Sequence, residues 1–200
     1  MKHEGWDGAQ DLGIPLDIAT IGLLEHFEAS LLERAVPRGM IAASDAPRIR
    51  ERHILDCLRA TPLLPTEGTV CDLGSGAGLP GMVLALLRPD LRFALVEVRR
   101  NRAGFLADVA GDLGLTNVTV HGRRLETFKE PVVVCLARAF GGPERSWEAA
   151  QRILEPQGRL IYWAGQSFDP SHDLPEGVSS RLFQTPTLAR SGPLVIMTRQ

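Results

Sequence analysis

No apolar run in this chain approaches the ~20 residues that span a bilayer, and the segment Met1–Asp7 lacks the apolar core of a signal peptide. These two absences give the expectation of a cytoplasmic protein without a membrane partner. Cysteine is scarce: Cys57, Cys71 and Cys135 are odd in number, widely spaced and without a C-x-x-C pair. That pattern argues against a disulfide framework and a zinc site, so no metal is expected, and it fits a reducing compartment. An excess of positive charge is missing too. A net charge of -2 argues against a strongly basic nucleic-acid binder but is compatible with a local basic face. Lysine is confined to Lys2 and Lys129, so the cations are almost all arginine, a bias that RNA binding and a GC-rich genome explain equally. What remains is ordinary: 200 residues, 44% hydrophobic and 23% charged, fit one globular domain with a small appendage.

The densest signal is Val70-Cys71-Asp72-Leu73-Gly74-Ser75-Gly76-Ala77-Gly78-Leu79-Pro80-Gly81. It reads as a buried strand, a glycine turn and a helix start, an arrangement that aims backbone N–H groups and a helix N-terminus at a polar ligand. A dinucleotide fingerprint requires G-x-G-x-x-G, and Leu79 occupies the third glycine position. The run is instead G-x-G-x-G, the form used by S-adenosylmethionine-dependent methyltransferases, with Gly74 and Gly76 in the turn. Asp72 is placed to hold the turn by accepting N–H bonds. The next strand, Arg92 to Glu97, ends in an acid about 20 residues beyond the turn, where a doubly wound fold grips a ribose. An isolated glycine cluster also reads as a surface turn. The strand before it, the helix after it and Glu97 at the right distance favour the cofactor pocket.

Along the chain, residues 1–14 read as a polar lead-in. Ile18, Ile21, Leu24, Phe27, Leu31 and Leu32 recur at helical spacing from about Pro15 to Arg34, and Val36-Pro37-Arg38-Gly39 breaks the pattern. Asp45 is expected to cap a second helix with Pro47 in its first turn, running to Thr61-Pro62 and carrying Ile49, His53, Ile54, Cys57 and Leu58. The expected organisation is an N-terminal helical appendage, residues 1–62, before a core spanning 63–200. In the core, strands are expected near 69–73, 92–97, 117–121, 131–137, 159–164 and 193–198, and helices near 80–88, 99–113 and 143–154. This alternation predicts an α/β fold of the Rossmann-like class, a mostly parallel sheet with helices on both faces. Phe168 to Pro186 is rich in Ser, Pro and Gly and carries no strand or helix pattern.

Five ordered segments resemble one family. Arg52-His53-Ile54-Leu55-Asp56, the run Asp72 to Gly81, Glu97-Val98-Arg99-Arg100-Asn101-Arg102, Arg124-Leu125-Glu126 and Ala137-Arg138-Ala139 are similar to segments of the bacterial 16S rRNA guanine-N7 methyltransferases known as RsmG or GidB. The resemblance covers roughly residues 50–165. It implies a class I S-adenosylmethionine-dependent methyltransferase acting on guanine N7 in the 530 loop of 16S rRNA, with 16S rRNA or the small ribosomal subunit as partner; separately, a monomer is expected. It further implies that Gly74 and Leu79 line the cofactor, that Leu125 and Glu126 flank its adenine, and that Arg138 faces the transfer site. His53 and Arg52, in the first segment, are carried over as substrate-side residues. The chain departs from the family at four places: Met40 lies where the family has Asn-Leu-Thr, Ala164 replaces a lysine, Ser191-Gly192 replaces a Glu-Arg pair, and Thr198 replaces a lysine.

Guanine N7 carries a lone pair and no proton, so no general base is expected and no catalytic acid or base is assigned. No Asp/Asn-Pro-Pro-aromatic segment follows the fourth strand, as attack by an exocyclic amine would favour, and Cys135 alternates like a buried strand residue rather than a nucleophile. Arg138 is suited to a phosphate, a base edge or the cofactor carboxylate. His53 reads either as a packed helix residue or as a site residue, with Asp56 placed to pair with it or with Arg52. Arg48, Arg50, Arg52, Arg59, Arg99, Arg100 and Arg102 read as a phosphate-contacting rim or as solvated helix faces. Trp6, Trp147, Tyr162 and Trp163 are candidate stacking partners for a looped-out base, Trp163 foremost. Two alternatives stand beside the rRNA methyltransferase: a divergent paralogue methylating another RNA or a small molecule, and a non-catalytic RNA- or partner-binding module on the same fold.

Overall fold

The computed structural model describes residues 5–185 and 191–200. The start of the polar lead-in, including Met1, and the end of the Ser/Pro/Gly-rich segment, including Pro186, lie outside the described residues.

Strands β1 (Thr69–Leu73), β2 (Arg92–Val96), β3 (Val118–His121), β4 (Val132–Ala137), β5 (Leu154–Trp163), β6 (Val178–Phe183) and β7 (Leu194–Arg199) form one sheet in the order β3-β2-β1-β4-β5-β7-β6. β1 to β5 pair in parallel, whereas β7 runs antiparallel to both β5 and β6. The order reverses between β1 and β4, so the crevice at their C-terminal ends is the place where open α/β sheets bind ligands. Helices α4 (Gly81–Leu87), α5 (Arg100–Asp112) and α6 (Pro143–Ala150) connect the strands. Residues of successive strands alternate between two apolar layers. Val70, Leu95, Val134, Leu136 and Ile161 belong to one. Cys71, Val96, Cys135, Leu160 and Met197 belong to the other. The fold is the Rossmann-like class that the alternation of strands and helices predicts.

The N-terminal third is helical. α1 (Asp7–Asp11) lies within the lead-in, where no helix is expected from sequence. It is held by Trp6, a buried indole beneath the Arg50 guanidinium at 4.5 Å. α2 (Ile18–Ser30) begins at Asp17, whose side chain accepts the Thr20 N–H at 2.7 Å, and it continues into a π-helical stretch, Leu31–Ala35. Leu24, Phe27 and Leu31 are fully buried in the layer that contains Val134 and Ile161. Each such side chain contributes on the order of 2 kcal/mol by burial. Ile18, expected on the apolar stripe, is exposed.

The second expected helix is instead three joined pieces: a 3-10 turn (Ala43–Arg48), a π-helical stretch (Arg50–Leu55) and α3 (Asp56–Leu58). Asp45 does not cap it. Its carboxylate is drawn away by His53 Nε2 at 3.1 Å and Arg52 at 3.3 Å. Two further expectations fail for identifiable reasons. The helix expected at 143–154 ends at Ala150 because Leu154 already pairs with Val132 as the start of β5. β6 emerges within the Ser-rich stretch. As an edge strand it pairs only with β7 and leaves Ser179, Ser180 and Arg181 exposed, so it carries almost no apolar pattern.

The Leu-Pro-Gly run after the glycine turn has a steric reason. A Cβ on Gly81 would meet Asp72 Oδ2 at 2.6 Å. Gly81→Ala is therefore expected to destabilise the protein by about 1–3 kcal/mol in urea unfolding. Wild-type stability in that variant would contradict the close approach.

Candidate active site

The turn after β1 has Gly74, Gly76 and Gly78 at φ +67°, +58° and +89°, values that side-chain-bearing residues reach only with strain. Asp72, buried within β1, accepts the Gly81 N–H through Oδ2 at 3.0 Å, tying the strand to the first residue of α4. Burial pushes its carboxyl up to about 7, against hydrogen bonds from Gly81 and Ser75 that pull it down. Glu97, just beyond β2, is buried. Its Oε2 accepts the Gly76 N–H at 3.0 Å and its Oε1 accepts the Arg99 N–H at 2.8 Å. The acid thus braces the glycine turn from the neighbouring strand. Each carboxylate oxygen has more than one acceptor site, so both retain capacity for ribose hydroxyls.

The other expected cofactor residues are placed as follows. Leu79 is buried in the apolar layer beneath the turn. Leu125 and Glu126 lie on the 3-10 turn Leu125–Thr127 after β3, where with Phe140 and Arg145 they line a cleft of about 160 Å³. Phe140 is a residue that sequence reasoning missed. Its ring covers Gly74, so a Cβ there would come within 2.8 Å of it. Ala139, at φ +57°, sets the sharp bend that carries the ring over the turn. The signal was present in Gly141-Gly142, a glycine pair directly after Phe140. These residues fit S-adenosylmethionine: a buried acid at the end of β2 beside the glycine turn, a left-handed glycine backbone and an apolar wall at Leu125 and Phe140.

Arg138 follows β4 and turns toward the N-terminal helices. Its Nε donates to Asp56 Oδ2 at 3.0 Å, and its Nη2 lies 2.8 Å from His53 Nδ1 and 3.3 Å from the Arg52 carbonyl. Arginine only donates, so Nδ1 of His53 accepts, and Nε2 carries the proton that reaches Asp45. The structure therefore brings Arg52, His53 and Arg138 together at the sheet's C-terminal end. Asp56 pairs with neither His53 nor Arg52. It bridges Arg138 and the buried Arg59, whose Nη2 lies 2.7 Å from Oδ1.

Two other expectations are corrected. Arg59 is buried on Asp56 and the Gly192 carbonyl, and Arg50 is held by Glu28 and Trp6, so both leave the basic rim. Arg48, Arg52, Arg99 and Arg100 remain exposed and Arg102 half-buried. Trp6, Trp147, Tyr162 and Trp163 are all buried. Their burial leaves no stacking face, and Trp163 donates its indole N–H to the Asp56 carbonyl at 3.2 Å. Cys135 is buried in β4, paired with Cys71 across the sheet, as its alternation predicts.

Burial, then the Arg138 charge, holds the His53 imidazole below its ordinary value. The folded form binds a proton less readily than the unfolded one. His53 therefore stabilises the protein above the unfolded value near 6.5, and that contribution is lost as pH falls through the folded value. By NMR titration His53 is expected to titrate below 6.5, and Arg138→Gln is expected to move it upward. An unshifted His53, or no response to Arg138→Gln, would contradict this placement.

Comparison with known proteins agrees with the geometry. Residues 20–174 match the family model GidB, described as rRNA small subunit methyltransferase G. Proteins named ribosomal RNA small subunit methyltransferase G are similar to this chain at 44% identity in Acidothermus cellulolyticus, over 72% of this chain and 64% of that one. The similarity is 42% in Rhizorhabdus wittichii, over 70% of each. The chain spans about three fifths of the length of the first such relatives, 64% and 56% for the Acidothermus and Nocardioides proteins. Among solved structures, a SAM-dependent methyltransferase from Aquifex aeolicus superposes with TM-score 0.59 at 17% identity, covering 80% of this chain and 97% of that one. The TYW2 protein of M. jannaschii in complex with AdoMet gives TM-score 0.56 at 12% identity, covering 75% and 77%. At these identities the two structures establish the fold. The family match and the close relatives go further: this chain belongs to the rRNA small subunit methyltransferase G family, GidB.

Proposed function

We propose that this protein transfers a methyl group from S-adenosylmethionine to N7 of a guanine in the 530 loop of 16S rRNA, presented by free RNA or by the small subunit. The observation that carries the reading is Glu97 braced against Gly76 at the strand-order reversal, supported by the family membership. The bound cofactor supplies an electrophilic methyl on a sulfonium. The chain's own contribution is alignment. Glu97 would hold the ribose, the glycine backbone at Gly74 and Gly76 would let the amino-acid end approach the turn closely, and Leu125 with Glu126 would flank the adenine. Arg138, steadied by Asp56, faces the incoming base, with Arg52 and His53 beside it. Guanine N7 attacks with its lone pair, so no protein group takes a proton, and orientation supplies much of the rate.

On this reading residues 1–62 form an appendage whose Arg52–Asp56 segment completes a site built on the 63–200 core. The protein works as a cytoplasmic monomer. Among the described residues no helix is long and apolar enough to cross a membrane, and none group as a metal site. The family's polar pair before the last strand gives way to Gly192 for a packing reason, since a Cβ there would lie 2.2 Å from the Ala164 carbonyl. That departure therefore does not favour a different substrate.

Calorimetric titration with S-adenosylmethionine is the test. Wild-type protein is expected to bind it, and Glu97→Ala, checked for folding by circular dichroism, is expected to bind at least about tenfold more weakly, the loss of one or more charge-assisted hydrogen bonds. Absence of binding by folded wild-type protein would overturn the reading.

A further inference from the structure

A second site lies away from the glycine turn. A groove of about 390 Å³ opens between Pro62–Leu63 and the surface of β5, β7 and β6. Alternation along β5 places Arg159 on the same face as Ile161 and Trp163, four residues below Trp163. That is about 13 Å at ~3.3 Å per residue. On β7 Thr198 shares this face with Ile196, and on β6 Ser179 and Arg181 lie directly beside them in register. The groove is lined by Arg159, Arg181, Ser179, Ser180 and Thr198 over an Ile196 floor, and among the described residues no acidic side chain lines it.

A counter-charge is missing here, as it is at other arginines such as Arg199, which is held by carbonyl oxygens alone. Arg34, Arg50, Arg59, Arg88 and Arg138 each face an acid. Arg159 instead donates twice to one uncharged acceptor, the Leu63 carbonyl, at 3.3 and 2.8 Å, which fixes its guanidinium without neutralising it. Neither Arg159 nor Arg181 makes an ion pair among the described residues. Burial, then the nearby Arg181 charge, holds Arg159 below its ordinary value, as expected for two cations facing one space without a counter-charge. Two guanidiniums and a row of hydroxyls match the donor needs of a tetrahedral oxyanion.

We propose that this groove is a phosphate-binding site that takes a backbone phosphodiester of the RNA through Arg159, Arg181, Ser179 and Thr198. The site stands on its own geometry, and RNA as the source of the phosphate rests on the function proposed above. A contact so far from the glycine turn positions the strand without reading its sequence.

The test uses the full chain. Inorganic phosphate is titrated into protein carrying 15N-labelled arginine while the side-chain Nε–Hε signals are followed. Binding of a 16S RNA hairpin is measured by fluorescence anisotropy across a salt series. Wild type, Arg181→Gln and Thr198→Val are compared, and S-adenosylmethionine affinity is measured in parallel. Phosphate is expected to move the Arg159 and Arg181 signals, and to move Arg159 far less in Arg181→Gln. That variant is expected to bind the hairpin several-fold more weakly, with a salt slope lower by about one, at unchanged S-adenosylmethionine affinity. If phosphate moves the signals but hairpin affinity and slope stay at wild type, the RNA assignment falls and free phosphate is the ligand. If phosphate moves neither signal, the site is overturned. Failure of wild type to bind S-adenosylmethionine would sink the proposed function, leaving the phosphate signals to judge the groove.

Discussion

The structure turns on one buried carboxylate. Asp56 sits between two guanidiniums, with Oδ2 on Arg138 and Oδ1 on Arg59, while its backbone carbonyl receives the Trp163 indole N–H. These contacts join three regions distant in sequence: the N-terminal helical stretch, the end of β4 and the end of β5. Arg59 extends the junction to the loop before β7 through the Gly192 carbonyl at 3.0 Å. Desolvating these charges is costly, and the attraction of two guanidiniums offsets it, although Oδ1 meets Arg59 as an ion pair without an aligned hydrogen bond. Removing Asp56 would leave two guanidiniums without a counter-charge, a loss on the order of 3–5 kcal/mol. Ion pairs of this kind specify geometry more than they add stability. Here they fix where Arg52, His53 and Arg138 stand relative to the glycine turn.

The cofactor side obeys a different constraint, the need to satisfy backbone N–H groups in a turn with three left-handed glycines. Glu97 and Asp72 do this from adjacent strands, one on Gly76 and one on Gly81. The two carboxylates hold the turn open at the point where the strand order reverses. The ion-paired junction lies across the same crevice, on the residue that follows β4. The site is thus the meeting of a backbone cradle set by strands and a cationic face set by helices.

The cradle was legible in the sequence because its physics is local. Glycine spacing, Asp72 before the turn and Glu97 at the end of the next strand are all readable from neighbours in the chain. The strands β1 to β4 were legible to within a residue or so; β1, β2 and β4 are central parallel strands with continuous apolar runs, whereas β3 is a half-exposed edge strand. What could not be read depends on residues far apart. Arg59 looks like a surface arginine until Gly192 and Asp56 surround it. Trp163 looks like a stacking platform until the fold is seen to bury its ring. Asp45 looks like a helix cap until His53 and Arg52 claim its carboxylate. β6 was invisible because an edge strand of serines and arginine carries no alternation, and the phosphate groove needs that strand in place before its two arginines converge.

Asp56 and Arg138 act as one unit in this structure. A double-mutant cycle with Asp56→Asn and Arg138→Gln, read by urea unfolding, tests it most directly. A coupling energy of at least about 1 kcal/mol between the two sites is expected. Additivity within about 0.5 kcal/mol would mean that the two side chains stabilise the fold independently, and the junction would lose its place as the organising contact.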